Sequence, residues 1–170
     1  MTDEVWVIDS SSIIWIKQNS TRVECARTLR ELDALVVAGQ LLFPKTVLVE
    51  MERWVGTKAE AEDPPLAWAK RNSKHLKHLP ERPDTLSVVL AEVPQVLDPD
   101  KVGGAEEADP YVLALALMLQ NEGRAVTVLN EERKDRADKM SLTTACGVLR
   151  LVSLPVGTFL ARRGLRDASF

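Results

Sequence analysis

Short apolar segments set far apart by helix-forming sequence constrain this chain more than any other feature. EVWVI at 4–8, AVTVL at 125–129 and the segment 151–153 read as strands from their apolar and β-branched content. Helix-like sequence separates each from the next, so no two consecutive strands can be joined by a tight hairpin. Strands joined in this way predict an α/β fold with a mostly parallel central sheet and helices on both faces. Helical patterns cover 12–17, 21–38, 45–55, 66–79, 85–92, 110–120, 141–149 and 155–163. The stretch 41–43 is a short apolar run stopped by Pro44, and 130–140 is a polar loop.

With 170 residues, 45% of them hydrophobic and 28% charged, a single domain spanning 1–170 is expected. The longest apolar run, YVLALALML at 111–119, is too short to cross a bilayer. No basic segment followed by an apolar core suggests export, and Cys25 and Cys146 form no disulfide framework, so a reduced, cytoplasmic setting is expected. The net charge of −3 does not mark a nucleic-acid binder, but charge is unevenly spread. Lys70, Arg71, Lys74 and Lys77 form a basic block with His75 and His78, and Arg162, Arg163 and Arg166 form another. Acids gather at 60–63, 106–109 and 131–132.

In a parallel α/β sheet, sites form beyond the carboxyl ends of the strands. Asp9 follows the first strand and Asn130-Glu131-Glu132 follows AVTVL, so both fall at one edge. Asp9 also suits the N-cap of the next helix. In KTVLVEMERWV, Val47, Met51 and Trp54 define a buried stripe with Glu50 at its border, while Glu52 faces away. A carboxylate at such a border needs an ion partner, a bound cation or a proton. Asp109-Pro110 reads as an N-cap followed by proline at the first helical position.

Carboxylates about 4 Å apart repel by roughly 4 kcal/mol at the effective dielectric of a protein surface. Gathering several therefore calls for a divalent cation, and oxygen donors suit Mg²⁺ or Mn²⁺. His75 and His78 share a lysine-rich face and read as solvated rather than as zinc ligands. Trp6, Trp15 and Trp54 lie on apolar stripes and read as core. Trp68 alone sits in a basic setting where it could stack on a base.

These residues resemble a known family. VIDSSSIIW is similar to the start of PIN-domain nucleases, in which an Asp ends the first strand and small hydroxyl residues follow. VLVEMERW resembles the helix that carries the family's second acid, EEADPYVLALAL its third motif, and VTVLNEERKD its fourth strand-plus-loop. The third motif, with the tail MSLTTACGVLRLVSLPVGTFL, is most similar to a subfamily of prokaryotic proteins often found as toxins.

The resemblance implies a three-layer PIN-like fold and a site built on Asp9, Glu50 and Asp109. Ser11 would orient a carboxylate or a metal-bound water. Glu132 would take the fourth position, with Glu131 and Asp135 as alternatives. Glu106 and Glu107 read either as supplements or as a solvated helix entrance. The implied activity is Mg²⁺- or Mn²⁺-dependent hydrolysis of RNA by a toxin that dimerises and is silenced by a small antitoxin. Lys70, Arg71, Lys74 and Lys77, with the C-terminal arginines, are candidate phosphate contacts. The helix at 21–38 and the apolar residues near Glu50 are candidate docking surfaces. Two other readings stand beside this one: a catalytically degenerate PIN-fold module that binds RNA or protein, and a phosphotransferase with Asp9 as nucleophile. Against the last, Ser11 occupies the position where a second Asp is wanted.

Overall fold

A computed structural model describes residues 3–55, 63–101 and 107–166. Its sheet contains β1 (Glu4–Ile8), β2 (Leu41–Leu42), β3 (Ala125–Leu129) and β4 (Val152–Leu154), in the order β2-β1-β3-β4. Every pairing is parallel. The helices are α1 (Ser10–Gln18), α2 (Arg22–Val37), α3 (Lys45–Val55), α4 (Pro64–Ser73), α5 (Thr85–Glu92), α6 (Ala108–Asn121), α7 (Leu142–Val148) and α8 (Val156–Arg162). Glu60, Glu106 and the Gly103-Gly104 pair lie outside the described residues.

The sequence expectation of an α/β fold with a parallel sheet and flanking helices is met, and the arrangement is consistent with a three-layer PIN-like fold. Connections between parallel strands are right-handed almost without exception. From β1 the chain moves one way to β2 through α1 and α2. It then crosses back past β1 to β3 through α3–α6, and continues outward to β4 through α7. Reversing direction while keeping the hand puts the first pair of helices on the opposite face from α6 and α7. The sheet adds one strand to those expected, because 41–42 pairs with Trp6 and Val7 before Pro44 stops it.

Burial explains the strand composition. Val5, Val7 and Ile8 are fully buried, as central parallel strands covered on both faces require. Across the pair, Val7 faces Val128 and Ile8 faces Leu129. Helix α6 packs on β1, β3 and α5 and is buried nearly all round, which accounts for a sequence with no polar face through YVLALA. On the other side, α8 lies against α1. The Phe159 ring packs 5.2 Å from Trp6, and Gly157 lets the Trp15 ring close to where a Cβ would stand.

Several local expectations need correction. Helix α6 begins at Ala108 with Glu107 as its N-cap, so Asp109 lies within the first turn rather than capping it. The helix expected over 66–79 starts at Pro64 and ends at Ser73, followed by a 3₁₀ turn at Lys74–Leu76. Trp54, expected in the core, is 55% exposed. It sits in the last turn of α3, where Val55 rather than Trp54 continues the stripe of Val47 and Met51 and packs against the core. Trp68 is fully buried beside Phe43, at 5.5 Å, and so presents no face to a base.

Candidate functional site

Parallel pairing carries the ends of β1 and β3 to one edge. The ladder runs one residue beyond each strand: Asp9 N–H donates to Leu129 O (3.1 Å), and Asn130 N–H donates to Leu154 O (3.2 Å). The connections after β1 and β3 leave toward opposite faces here, so a crevice opens between them at the topological switch point.

Asp9 forms the floor of this crevice. It is the N-cap of α1 and accepts from Ser12 N at 3.0 Å. The Ser11 hydroxyl lies 2.9 and 2.8 Å from its two carboxylate oxygens and in turn accepts from Glu131 N–H at 3.2 Å. A chain of polarised hydrogen bonds thus ties the loop after β3 to the tip of β1. Among the described residues no lysine or arginine pairs with Asp9. Burial pushes its carboxyl up to about 7, against the lowering effect of Ser11, and the charge of Asp109 adds to the rise. The Cys146 thiol, pushed up to about 12 by burial and then by the Asp9 charge, is inert packing.

Glu50 reaches the same edge from α3 and is buried, further in than the border position expected from the sequence. Its Oε1 accepts from the Ser10 hydroxyl, and its Oε2 accepts from Ala108 N–H at 3.3 Å, at the start of α6. That N–H belongs to the unsatisfied first turn of a helix, where a carboxylate is favourably placed. Lys101 Nζ stands 3.5 Å from Glu50 Oε2 and 3.8 Å from Glu107 Oε1. Glu107 is buried and accepts from Asp98 N–H at 2.8 Å, so the solvated reading of this acid does not hold.

Asp109 projects from the first turn of α6. Burial pushes its carboxyl up to about 6, with Lys139 opposing the rise and the charges of Glu132 and Glu50 adding to it. Lys139 Nζ lies 2.8 Å from Asp109 Oδ2 and 2.6 Å from Glu132 Oε1. Burial works against the charge of Lys139, yet the two carboxylates outweigh it and hold the ammonium above the usual lysine range.

The loop after β3 sorts the fourth acidic position. Glu131 Oε1 accepts from Val156 N–H (2.7 Å) at the start of α8, and Asp135 Oδ1 accepts from Ser141 N–H (2.9 Å) before α7. Both serve helix entrances. Glu132, paired through Lys139 with Asp109, is the one that joins the acidic group.

Asp9, Glu50, Asp109 and Glu132 therefore meet at one edge, as their sequence positions suggest. As the side chains stand, however, no three His, Cys, Asp or Glu residues among those described are gathered to hold a metal ion. Lys139 lies between Asp109 and Glu132, and Lys101 between Glu50 and Glu107. Sequence reasoning missed both lysines and missed Ser10 as the partner of Glu50. Nothing separates Lys139 from Arg133, Lys134 and Arg136 in EERKDRADK, whereas Ser10 was foreshadowed by the unusual row of hydroxyls after Asp9.

The candidate RNA contacts divide. Arg71 pairs with Asp33 at 3.1 Å and Lys70 with Glu52 at 3.7 Å, while Lys74 and Lys77 are exposed. Arg163 stacks over Trp6 and Arg166 over Trp15, at 5.0 and 4.7 Å from the ring centroids. Both cysteines are free and buried. No helix among the described residues is long and apolar enough to cross a membrane. No family model, curated protein or solved structure matches the chain.

Proposed function

We propose that the protein is a Mg²⁺- or Mn²⁺-dependent ribonuclease that hydrolyses RNA phosphodiester bonds. The observation that carries this reading is the meeting of Asp9, Glu50, Asp109 and Glu132 at the carboxyl edge of a parallel sheet, two of them with carboxyls pushed well above the ordinary aspartate range. Burial is the main cause of both rises, and buried carboxyls shifted in this way cluster at functional sites. The donor set fits a hard divalent cation in kind, being all oxygen, and Asp9 is a buried member with no cationic partner among the described residues. Asp9 and Asp109 would hold the ion, with Glu50 and Glu132 completing its surroundings once Lys139 releases Asp109.

When bound, the ion supplies a water acidic enough to act near neutral pH and offsets charge on the phosphate oxygens. The protein's part is to fix the carboxylates: Ser11 orients Asp9, and Ser10 with the α6 N-terminus orients Glu50. Exposed Lys74 and Lys77 are the remaining candidates for phosphate contact from the basic block. The resemblance to PIN-type toxins extends the proposal to a toxin that pairs with itself and with a small antitoxin protein, in the cytoplasm.

A second reading, a catalytically degenerate module that binds RNA or protein, is favoured by the position of Lys139 between Asp109 and Glu132. Cleavage assays on structured and unstructured RNA separate the two. The proposal expects cleavage only with Mg²⁺ or Mn²⁺, reduced at least about 100-fold in Asp9→Asn and in Asp109→Asn, as for loss of a group acting in the transition state. Binding without cleavage, or cleavage untouched by both variants, contradicts it.

A further inference from the structure

We infer that Lys139 is a resident cation of the acidic site, occupying the oxygens of Asp109 and Glu132 in the metal-free protein and thereby setting how tightly a divalent cation binds. The inference rests on the proposed reading of this edge as a divalent-cation site.

The lysine is not a surface side chain that happens to lie near an acid. Its side chain is only 10% exposed, and its ammonium bridges two carboxylates from different parts of the chain at 2.8 and 2.6 Å. The loop that carries it is anchored on both sides. Arg136 N–H donates to Lys139 O at 2.9 Å, and Met140 N–H donates to Gln95 O at 2.7 Å. The Arg136 side chain pairs with Asp98 at 3.0 Å, and Asp98 N–H donates to Glu107, the N-cap of the helix that bears Asp109. The loop backbone that carries the lysine is thus held in place.

A Mg²⁺ ion demands oxygen ligands at about 2.1 Å and cannot share two carboxylate oxygens with an ammonium seated between them. Ion and lysine therefore compete. Apparent affinity for the ion falls by the fraction of molecules in which the bridge is open. In the closed state the bridge offsets repulsion between Asp109 and Glu132 and keeps both acids at this edge. Lys101, at 3.5 and 3.8 Å from Glu50 and Glu107, is too distant and too exposed to hold its acids as tightly.

The test titrates Mn²⁺ into metal-free full-length protein, without RNA, and reads binding by calorimetry. Lys139→Met, which keeps the stem and removes the charge, is expected to bind Mn²⁺ about tenfold more tightly than wild type. Lys139→Arg, which keeps a cation, is expected to stay near the wild-type value. In wild type, the ¹⁵N-ammonium signal of Lys139, identified by its absence in Lys139→Arg, should be protected from exchange and lose that protection on saturation with Mg²⁺. Equal or weaker Mn²⁺ binding by Lys139→Met overturns the inference, as does an ammonium signal indifferent to Mg²⁺; the latter decides the matter if the variant does not fold. Wild-type RNA cleavage alongside unchanged affinity in the variant removes the inference and leaves the nuclease reading. Tighter binding by the variant with no cleavage by any form does the reverse.

Discussion

At the scale of single residues, Asp9 joins a structural duty to a chemical one. Its carboxylate caps α1 and lies buried, with no lysine or arginine paired to it among the described residues, and burial raises its proton affinity. The unfolded chain releases this proton near pH 4 and the folded protein near pH 7, so the stabilising contribution is complete below pH 4 and lost as pH rises to 7. In EDTA, the urea midpoint of wild type is expected to fall across that window, by the equivalent of roughly 1–4 kcal/mol, with Asp109 acting in the same direction. Asp9→Asn should flatten the fall, and millimolar Mg²⁺ at pH 7.5 should reverse it. A midpoint that rises with pH instead would contradict the burial argument. The cap and the strand-tip position of Asp9 were legible in IDSSS, because both depend on neighbours in sequence. Lys139 was not, because its role depends on two acids brought to it by the fold.

At the scale of elements, Glu50 links three helices: α3, which bears it, α1 through Ser10, and α6 through Ala108 N–H. Breaking one arm leaves a buried carboxylate short of a donor, a cost of about 1–3 kcal/mol. Ser10→Ala is therefore expected to lower the melting temperature by several degrees and to weaken metal binding through misplacement of Glu50. An unchanged melting temperature would mean that Glu50 is held by Ala108 and Lys101 alone. The apolar stripe on α3 predicted burial of Val47 and Met51, which holds, and border placement of Glu50, which lies further in. It failed for Trp54, since either the third or the fourth residue after Met51 can continue a helical stripe, and here the fourth, Val55, packs against the core. The Asp109 cap failed because Asp-Pro marks a helix entrance only to within a turn, and here the helix starts two residues earlier than expected, at Ala108.

At the scale of the molecule, the strand order β2-β1-β3-β4 places the crevice between the ends of β1 and β3, where chain direction reverses. Three of the four strands, their parallel sense and the shared edge of Asp9 and 130–132 were readable from strand spacing, whereas Glu50 and Asp109 were joined to that edge by the family resemblance. What the sequence lacked was the counter-charge. The basic block at 70–77 read as a phosphate track, yet Arg71 and Lys70 are taken up by Asp33 and Glu52, and Lys139, outside that block, supplies charge to the acids. The acidic edge is thus neutralised mainly from within, and its chemistry turns on whether a divalent cation can replace that internal charge. Crystals soaked in Mn²⁺ and measured at the manganese absorption edge test this most directly. The account predicts an anomalous peak within ligand distance of Asp9 and Asp109, with the Lys139 ammonium displaced from both Asp109 and Glu132. A map without such a peak at saturating Mn²⁺, with Lys139 still bridging its two acids, would contradict it.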